Sequence, residues 1–485
     1  MCAQETVKVE LMHADRLEGD EILGPDIRKL IGNVGFKHVD TRMFCDSAYL
    51  NSADNSLRAF GNVRINSEDG VRVNAKRLDY DGNERTAKLF EDINMTDGKM
   101  TLTTDYLVYN LQDEVAYYTN DAKIVDGQNT LTSKKGTYYT PSQSFVFSNN
   151  VKLDNPRYEL LSDTLKYNTV TETATFFGPS EIISKQKVGD VVYCNEGWYN
   201  TQTEESYFGV NTRIITSGQE LHADSLYYNK KTGIGRAFKN VELKDTTEGI
   251  SVTGNWAYYD EINQKAKVSE NALLVQSFDN DSLYLHADTL LSVTDSATGV
   301  RDYYAYYSVK LFKSDMQGVC DSLAYVSSDS VIIFHGDPIL WSTTNQLTAD
   351  SMKLHLRDSK LDALDMYGSS FIISQEDSIR FNQIKGRTMN GFFKDSKLYK
   401  VDVDGNGQTI YYARNSKDEL IGVNRADCSS LTIFVKDNEV EKLLMYTQPE
   451  STFYPILELP PSQLKLKDFK WLYHLKPETV EELLE

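Results

Sequence analysis

Apolar and polar residues alternate along most of this chain, and the alternation changes phase at recurring points. In the segment Leu221–Tyr228, the apolar residues occupy odd positions before Asp224-Ser225 and even positions after it. Alternation with a period of two predicts β-strands. Two apolar half-strands that are out of phase require a bulge or a corner between them. The pattern therefore predicts strands that bend near this aspartate and fold over.

The same segment recurs at a spacing of about 30 residues, which predicts a repeat array. A second motif occurs within the period, and its clearest copy is Phe60–Ile65. Links such as Asp81–Asn83 are too short for parallel crossovers, so neighbouring strands should be antiparallel. A parallel β-helix fits less well, because each half of this period carries a different motif. Further copies of the first motif lie at 12–17, 102–107, 160–165, 285–290, 319–323 and 347–352, and of the second at 31–36, 90–95, 148–153 and 238–243.

The predicted fold is all-β: a long antiparallel open β-jellyroll or sandwich built from two-strand repeats of about 30 residues. The array should extend continuously over residues 7–446, with a subdivision near 295–300. Residues 1–6 are expected to be a leader remnant or a disordered start, and Cys2 is either lipid-modified or part of that remnant. Five of the ten prolines lie in the tail, 447–485. We expect the tail to cap the array or to dock onto another protein, and to contain a short helix over Pro477–Leu484.

Composition narrows the classes of partner. The chain has 51 Lys and Arg against 71 Asp and Glu, a net charge of −20. Nucleic acids and anionic membrane surfaces need a basic face, so neither is expected as a partner. No run of 18 apolar residues occurs, and no transmembrane helix is predicted. The 30 tyrosines and 20 phenylalanines favour strands.

The motif residues do not predict an active site. The aspartates recur in most periods, whereas an active site does not repeat, so we expect them to support the bulge by hydrogen bonds to local backbone N–H groups. Cys45, Cys194 and Cys320 occupy the small apolar position of the motif, where a buried thiol is expected. Asp402–Gly407 resembles the start of a calcium loop, but Ala413 stands where the loop needs glutamate, so a hairpin turn is the better interpretation. No catalytic residue, metal site or cofactor is predicted.

Pairs of adjacent tyrosines recur near the predicted strand ends. An aromatic residue that faces half core and half water is ordinary at such positions. Stacking on sugars is the functional alternative. The pairs lie at 117–118, 138–139, 227–228, 258–259, 303–304, 306–307 and 411–412.

The alternation of the two motifs resembles the OstA/LptA family, the lipopolysaccharide-transport proteins of the Gram-negative periplasm. The resemblance implies an open, V-shaped β-jellyroll whose hydrophobic interior shelters the acyl chains of lipid A. It also implies stacking of members edge to edge between the two membranes. The chain is longer than the short periplasmic component and has no barrel sequence of an outer-membrane translocon. The residues that carry the resemblance are Met12–Leu17, Gly32–Val34, Phe60–Ile65, Val73–Tyr80, Leu102–Tyr109 and Leu221–Tyr228.

From the resemblance we expect a non-enzymatic lipid-binding protein that carries or bridges lipopolysaccharide to the outer membrane. It should reside in the periplasm, associated with the outer membrane. Expected partners are lipopolysaccharide, other envelope transport proteins at open sheet edges, and further copies arranged head to tail. The alternative is a surface or structural β-solenoid that binds glycans or proteins. Apolar residues flanking the bend are the lipid-facing candidates, with core packing as the alternative for each: Ile31, Val34, Phe36, Phe60, Val63, Ile65, Phe90, Ile93, Met95, Phe238, Val241 and Leu243.

Overall fold

The computed structural model describes residues 7–19, 24–68, 70–247, 249–278, 281–358, 360–394, 397–415, 417, 419–436, 439–455, 460 and 463–484. These residues form 34 β-strands, and their helical content is limited to short 3-10 turns. The strand pairings described below are antiparallel. The predicted all-β, antiparallel fold is therefore confirmed.

Contacts between residues divide the chain into two units. Unit 1 contains residues 1–217 and 221–231, and unit 2 contains 218–220 and 232–485. The domain bounds inferred from the sequence remain a prediction. The strands of unit 1 are β1 (Glu10–His13), β2 (Arg16–Gly19), β3 (Ile27–His38), β4 (Thr41–Asn51), β5 (Ser56–Asn66), β6 (Arg72–Asp81), β7 (Thr86–Thr96), β8 (Met100–Asn110), β9 (Val115–Tyr118), β10 (Ala122–Asp126), β11 (Asn129–Ser133), β12 (Lys135–Tyr139), β13 (Ser144–Asp154), β14 (Tyr158–Asn168), β15 (Thr173–Ser184), β16 (Val191–Asn200) and β17 (Glu205–Thr216). The strand β18 (Gln219–Asn229) contains the boundary. The strands of unit 2 are β19 (Ile234–Asp245), β20 (Ile250–Asp260), β21 (Lys265–Ser277), β22 (Ser282–Thr294), β23 (Arg301–Lys313), β24 (Met316–Val326), β25 (Val331–His335), β26 (Ile339–Ser342), β27 (Asn345–Thr348), β28 (Ser351–Arg357), β29 (Lys360–Gln375), β30 (Phe381–Lys394), β31 (Lys397–Arg414), β32 (Leu420–Lys436), β33 (Glu439–Tyr446) and β34 (Glu450–Tyr454).

Within unit 1, each long strand contributes one half to each of two layers. In the pair β7–β8, Leu89 lies opposite Leu107 in the first half and Met95 lies opposite Leu102 in the second, with a register shift between them. One half of β8 continues to β9 and the other half to β10. We call the layer that contains β9 layer 1 and the layer that contains β10 layer 2. Met95 and Leu102 of layer 2 line a small cavity together with Leu107 of layer 1, so the two layers face each other.

Unit 2 repeats this construction. In the pair β21–β22, Val268 lies opposite Leu290 in layer 1 and Leu274 lies opposite Leu285 in layer 2, with a register shift between Ser269 and Ala272. The strand β24 then pairs with β25 in one layer and with β26 in the other. Each unit is thus a sheet folded over along a line of bends, as the phase changes predict. We call the opposite side, where both layers end in turns, the mouth.

The bend consists of two consecutive residues in the left-handed conformation. Gly61 and Asn62 have φ angles of 73° and 43°. The pairing of β4 with β5 changes register here, on the two sides of Cys45-Asp46. The cause is one extra residue in β5. The predicted bulge is therefore present, and left-handed pairs recur at 32–33, 91–92, 149–150, 210–211, 239–240, 270–271, 307–308, 336–337, 368–369, 405–406 and 447–448.

Gly405 and Asn406 form one of these bends, with φ angles of 76° and 55°. They lie within a single strand, Lys397–Arg414. The hairpin turn predicted for Asp402–Gly407 is therefore wrong. A Gly-Asn pair supplies the left-handed conformations that either a hairpin or a bulge needs, so composition alone does not separate the two.

The motif aspartate supports the bulge of the neighbouring strand. The carboxylate Oδ2 of Asp46 accepts a hydrogen bond of 2.8 Å from the side-chain amide of Asn62. A Cβ atom on Gly61 would overlap this carboxylate. Glycine is therefore needed at this position both for its positive φ and for the close approach of the aspartate. In the period where Lys76 replaces the aspartate, the bulge supplies Asp92, and the two side chains form an ion pair of 2.5 Å.

Residues Glu450–Tyr454 of the tail form β34 in the sheet, and residues 463–484 lie across one face of unit 2. We call residues 463–484 the C-terminal strap. Gln383 donates from Nε2 to the carbonyl of Leu464 (2.9 Å) and accepts at Oε1 from the N–H of Leu466 (2.8 Å). Gln346 makes the same pair of bonds with the carbonyl of Lys470 (2.8 Å) and the N–H of Leu472 (2.7 Å). Two glutamines that are each 1% exposed thus hold the backbone of the strap.

The strap covers the outer side of layer 2. Cross-strand pairs place Gln346 and Gln383 in one row with Trp341, Ile373 and Ile410. The next residues along these strands face the interior, because side chains alternate between the two faces of a sheet. Leu466 packs against Ile373 and Ile410 in a small apolar core. The predicted helix over 477–484 is limited to one 3-10 turn, Glu481–Leu483, since eight residues are too few to sustain a helix without tertiary contacts.

Candidate functional site

The interior of unit 1 is closed over its first strands. Cross-strand pairs place Phe36, Met43, Ile65, Val73 and Met95 in one inward-facing row of layer 2. Each of these side chains is 3% exposed or less. This part of the interior is an ordinary packed core, in which no surface is left for a ligand.

The first strands are also tied together at the mouth. The imidazole Nδ1 of His38, in layer 2, lies 2.6 Å from the hydroxyl of Tyr80, in layer 1. The Nε2 of His38 lies 2.9 Å from the carbonyl of Val7, and Asn55 accepts a hydrogen bond of 2.9 Å from the N–H of Val9. A hydrogen on Nε2 can be donated to the carbonyl of Val7. Burial raises the pKa of Tyr80 to about 12, so the phenol stays protonated. We call these five residues the N-terminal clasp.

The same inward-facing row of layer 2 becomes accessible further along unit 1. It passes through Leu131 and Leu160, which are 7% and 4% exposed. In this further part of the row, the side chains other than Leu131 and Leu160 are aliphatic and half-buried. Opposite them, half-buried Ala174 and Phe208 continue the inner row of layer 1. We call this region the unit 1 trough, and its layer 2 members are Leu153, Ile182, Val192 and Ile214.

Tyrosines line the mouth of the unit 1 trough. Tyr158 belongs to layer 2, and Tyr167 and Tyr199 belong to layer 1. Burial raises the pKa of Tyr158, and the phenols of Tyr199 and Tyr167 raise it further. Each ring therefore has an apolar body beside the trough and a polar group at its edge, an arrangement suited to a boundary between acyl chains and water.

Unit 2 contains a second accessible inner row. Leu243, Val252, Leu274 and Leu285 lie opposite one another in successive strands of layer 2 and are half-buried. We call them the unit 2 trough. The next member of the row, Leu311, is 5% exposed, so the interior closes again there. On layer 1, the inner residues of β19, β20 and β23 include the small side chains Ala237, Ala257 and Ala305.

The structure divides the twelve lipid-facing candidates into three groups. Val34, Phe36, Val63, Ile65, Ile93, Met95 and Val241 face inward, but each is 3% exposed or less. Leu243 faces inward and is half-buried in the unit 2 trough. The last four candidates are half-buried and face outward: Ile31, Phe60, Phe90 and Phe238. In each strand the residue just before the candidate is buried and faces the opposite side. The rings of Phe60 and Tyr49 are 6.2 Å apart there, and the guanidinium of Arg77 lies 3.8 Å from the ring centre of Phe90. Lipid contact of all twelve stays a prediction.

Sequence reasoning missed most of the accessible inner residues. Leu153 lies two positions after Val151 in a weak copy of the second motif, so its inward direction was available from the pattern. Its exposure was not, because the motif is equally apolar in closed and open parts of the array. Ile182 and Ile214 belong to periods whose second motif departs further from Phe60–Ile65, and Val192 lies in a divergent copy of the first motif, two positions before Cys194.

The described cysteine thiols are buried or half-buried. Burial raises the pKa of the Cys45 thiol to about 11 and that of Cys194 to about 12, as expected for small buried residues. Cys320 is half-buried, and burial raises its pKa to about 12. Within the described ranges, no three His, Cys, Asp or Glu side chains are grouped to hold a metal ion. In the same part of the chain, none of the helical segments has the length and apolarity to span a membrane.

A folded-over antiparallel sheet with an apolar inner face defines the fold class as a β-jellyroll. Residues 6–163 and 159–224 match the OstA-like protein family. The match covers slightly less than half of the chain, and over this region it confirms the resemblance carried by the motifs. The matched residues fall almost entirely within unit 1. The OstA-like family is associated with the transport of lipopolysaccharide and other lipids. No curated protein matches the chain.

Proposed function

We propose that this protein binds the acyl chains of lipopolysaccharide in the two troughs and carries the lipid through the periplasm towards the outer membrane. The observation that supports this most is the run of half-buried aliphatic side chains along the inner rows. Folded proteins normally bury such side chains or scatter them over the surface. A contiguous accessible row instead indicates an apolar ligand.

The energy available from the troughs is sufficient for lipid binding. Each buried CH₂ group contributes about 0.8 kcal/mol, so a chain of ~14 carbons gains on the order of 10 kcal/mol before the entropic cost of binding. No charged contact is needed to reach useful affinity. The net charge of −20 disfavours phosphate groups near the protein, which is consistent with head groups that remain in water at the mouth.

The position of the closed segment suggests where the lipid binds. The N-terminal clasp joins both layers at the first strands, and the core beneath it is packed. We therefore infer that acyl chains lie against the troughs at residues 153–214 and 243–285, away from the clasp. Chemistry on the lipid is not part of this proposal, because neither trough contains an acid–base or nucleophilic pair.

Further partners are proposed at the open sheet edge of unit 2. Among the described residues, β33 and β34 pair with β32 alone. Tyr446 and Phe453 are 45% and 51% exposed in these strands. A strand that has one unpaired edge and exposed aromatic side chains is a template for pairing with another chain. We infer that envelope transport proteins or a further copy of this chain add strands there.

Substitution of Ile182 by aspartate tests the proposal. A charge on the inner face must be desolvated by any bound acyl chain, so we expect binding of lipopolysaccharide to weaken at least tenfold, which corresponds to about 1.4 kcal/mol. The matched control is Glu181→Lys, which places a charge on the outer face of the same strand. Circular dichroism establishes that both variants fold. Equal affinity of the two variants for lipopolysaccharide would contradict the proposal.

A further inference from the structure

We propose that the outer face of layer 1 in unit 2 carries a saccharide-binding site, built on Trp256, Tyr258, Tyr304 and Tyr306. We call these four side chains the aromatic face. The site lies on the opposite side of the sheet from the unit 2 trough, and it does not depend on acyl-chain binding. Its ligand would be a chain of pyranose sugars, in which the apolar C–H face of each ring stacks on an aromatic ring.

The four rings form two ordered pairs. Trp256 and Tyr258 lie in β20 with ring centres 6.2 Å apart and planes within 9° of parallel. Tyr304 and Tyr306 lie in β23 with ring centres 6.0 Å apart and planes within 6° of parallel. Residues two apart in a strand point to the same side. The buried residues between them, Ala257 and Ala305, point inward, so both pairs face outward.

The two pairs share one side of one layer. The strands β20, β21, β22 and β23 are consecutive neighbours, so the pairs are three strand spacings apart, about 14 Å. The outward positions between the pairs are occupied mainly by polar side chains, among them Lys267, Ser269 and Thr289. The ammonium of Lys267 lies 5.4 Å from the ring centre of Trp256.

Tyr307 extends the same surface. It is 60% exposed and has a φ angle of 63°, in the bend that other repeats build with residues such as Gly61-Asn62. A bulky side chain in the left-handed conformation is uncommon. Its ring centre lies 6.4 Å from that of Tyr306. The bend therefore presents an additional aromatic ring at the edge of the aromatic face.

Saccharide fits this surface better than the other classes of ligand. A peptide-docking surface needs contiguous apolar contact, whereas here ammonium and hydroxyl groups separate the aromatic pairs. Nucleic acid also stacks on aromatic rings, but its phosphates would be repelled by a chain of net charge −20. Sugar hydroxyls can donate to and accept from the polar groups between the rings, while the sugar faces stack on the rings themselves.

The test measures binding of the full-length protein to lipopolysaccharide that has been completely deacylated and dephosphorylated, by isothermal titration calorimetry. We expect Trp256→Ala and Tyr304→Ala each to weaken binding by about tenfold, the loss of one aromatic stacking contact. Tyr49→Ala is the matched control, because this outward tyrosine of layer 1 lies in unit 1, and its binding should equal that of the unaltered protein. The probe carries no acyl chain, so the absence of saccharide binding would not affect the proposal that acyl chains bind in the troughs. Likewise, a negative result with Ile182→Asp would not affect the proposed saccharide site.

Three results would overturn the inference. The first is the absence of binding to the deacylated, dephosphorylated saccharide. The second is binding only to the phosphorylated form with full retention in Trp256→Ala, since that would indicate an ion pair with a lysine and no aromatic stacking. Retention of binding in both aromatic variants would likewise overturn it.

Discussion

The C-terminal strap is held by two buried glutamines, and replacement of one of them should loosen it measurably. Gln383→Leu removes a donor and an acceptor while preserving the size of the side chain. The N–H of Leu466 then loses its partner inside a core where Leu466 is only 3% exposed. The carbonyl of Leu464 also loses its partner, but this residue is half-buried and its carbonyl can bond to water.

The magnitude follows from these contacts. A buried donor that is left unpaired costs about 1–3 kcal/mol, and we take about 2 kcal/mol because the second lost bond is partly replaced by solvent. The strap remains attached through Gln346 and through the ion pair of Lys385 with Asp468, 2.7 Å long. We therefore expect local opening of the strap to rise by more than tenfold, with little change in the unfolding of unit 1.

Hydrogen exchange measured by mass spectrometry on strap peptides is the appropriate assay. Faster exchange confined to residues 463–475 and to the strands beneath them is the expected result. Gln375→Leu is the control, because this glutamine is exposed at the end of β29, in the same layer. If exchange in the strap is the same in Gln383→Leu and Gln375→Leu, the glutamine bonds do not hold the strap and the reasoning is refuted.

Three further predictions concern the bend, the thiols and the clasp. Gly61→Ala should lower the free energy of unfolding in urea by about 1–3 kcal/mol, since alanine is strained at positive φ. The control is Gly19→Ala, whose added Cβ atom would meet no atom within 4 Å, and it should change stability by less than about 0.5 kcal/mol. Equal effects of the two substitutions would contradict the role of the bend. Cys45 and Cys194 should resist alkylation at pH 8 in the folded protein and react after unfolding, because burial raises their pKa to about 11 and about 12; rapid labelling of the folded protein would contradict this. Tyr80→Phe should lower stability by about 1 kcal/mol and speed hydrogen exchange in the first strands, and unchanged exchange there would contradict the clasp.

The fold was predictable because its determinants are local. The bend is visible in the sequence as a change of phase in the strands that carry the aspartate motif, as at Asp224-Ser225. The Gly61-Asn62 pair supplies the left-handed conformations that the bulge requires. The direction of Phe60 was not predictable in the same way. Two left-handed residues keep Ala59 and Val63 on the same side, so the phenylalanine between them turns outward.

The accessible part of the interior depends on contacts that sequence patterns do not report. Ile65 and Ile182 both belong to aliphatic inward-facing rows, yet one is 1% exposed and the other is half-buried. The exposure of an inward-facing side chain depends on its packing against the opposite layer, whose residues are distant in sequence. The strap is a similar case. Its apolar residues are visible in the sequence, but the face that they cover is formed by strands up to about 170 residues away.

The most direct test of the central claim is photo-crosslinking at neighbouring positions of one strand. A photo-reactive amino acid at Val192 faces the unit 1 trough, and one at Tyr193 faces outward. We predict crosslinks to lipopolysaccharide in cells from position 192 and none above background from position 193, with weaker crosslinking at Val63 in the closed core. Absence of crosslinks at 192, or equal crosslinking at 192 and 193, would contradict the claim that acyl chains bind in the trough.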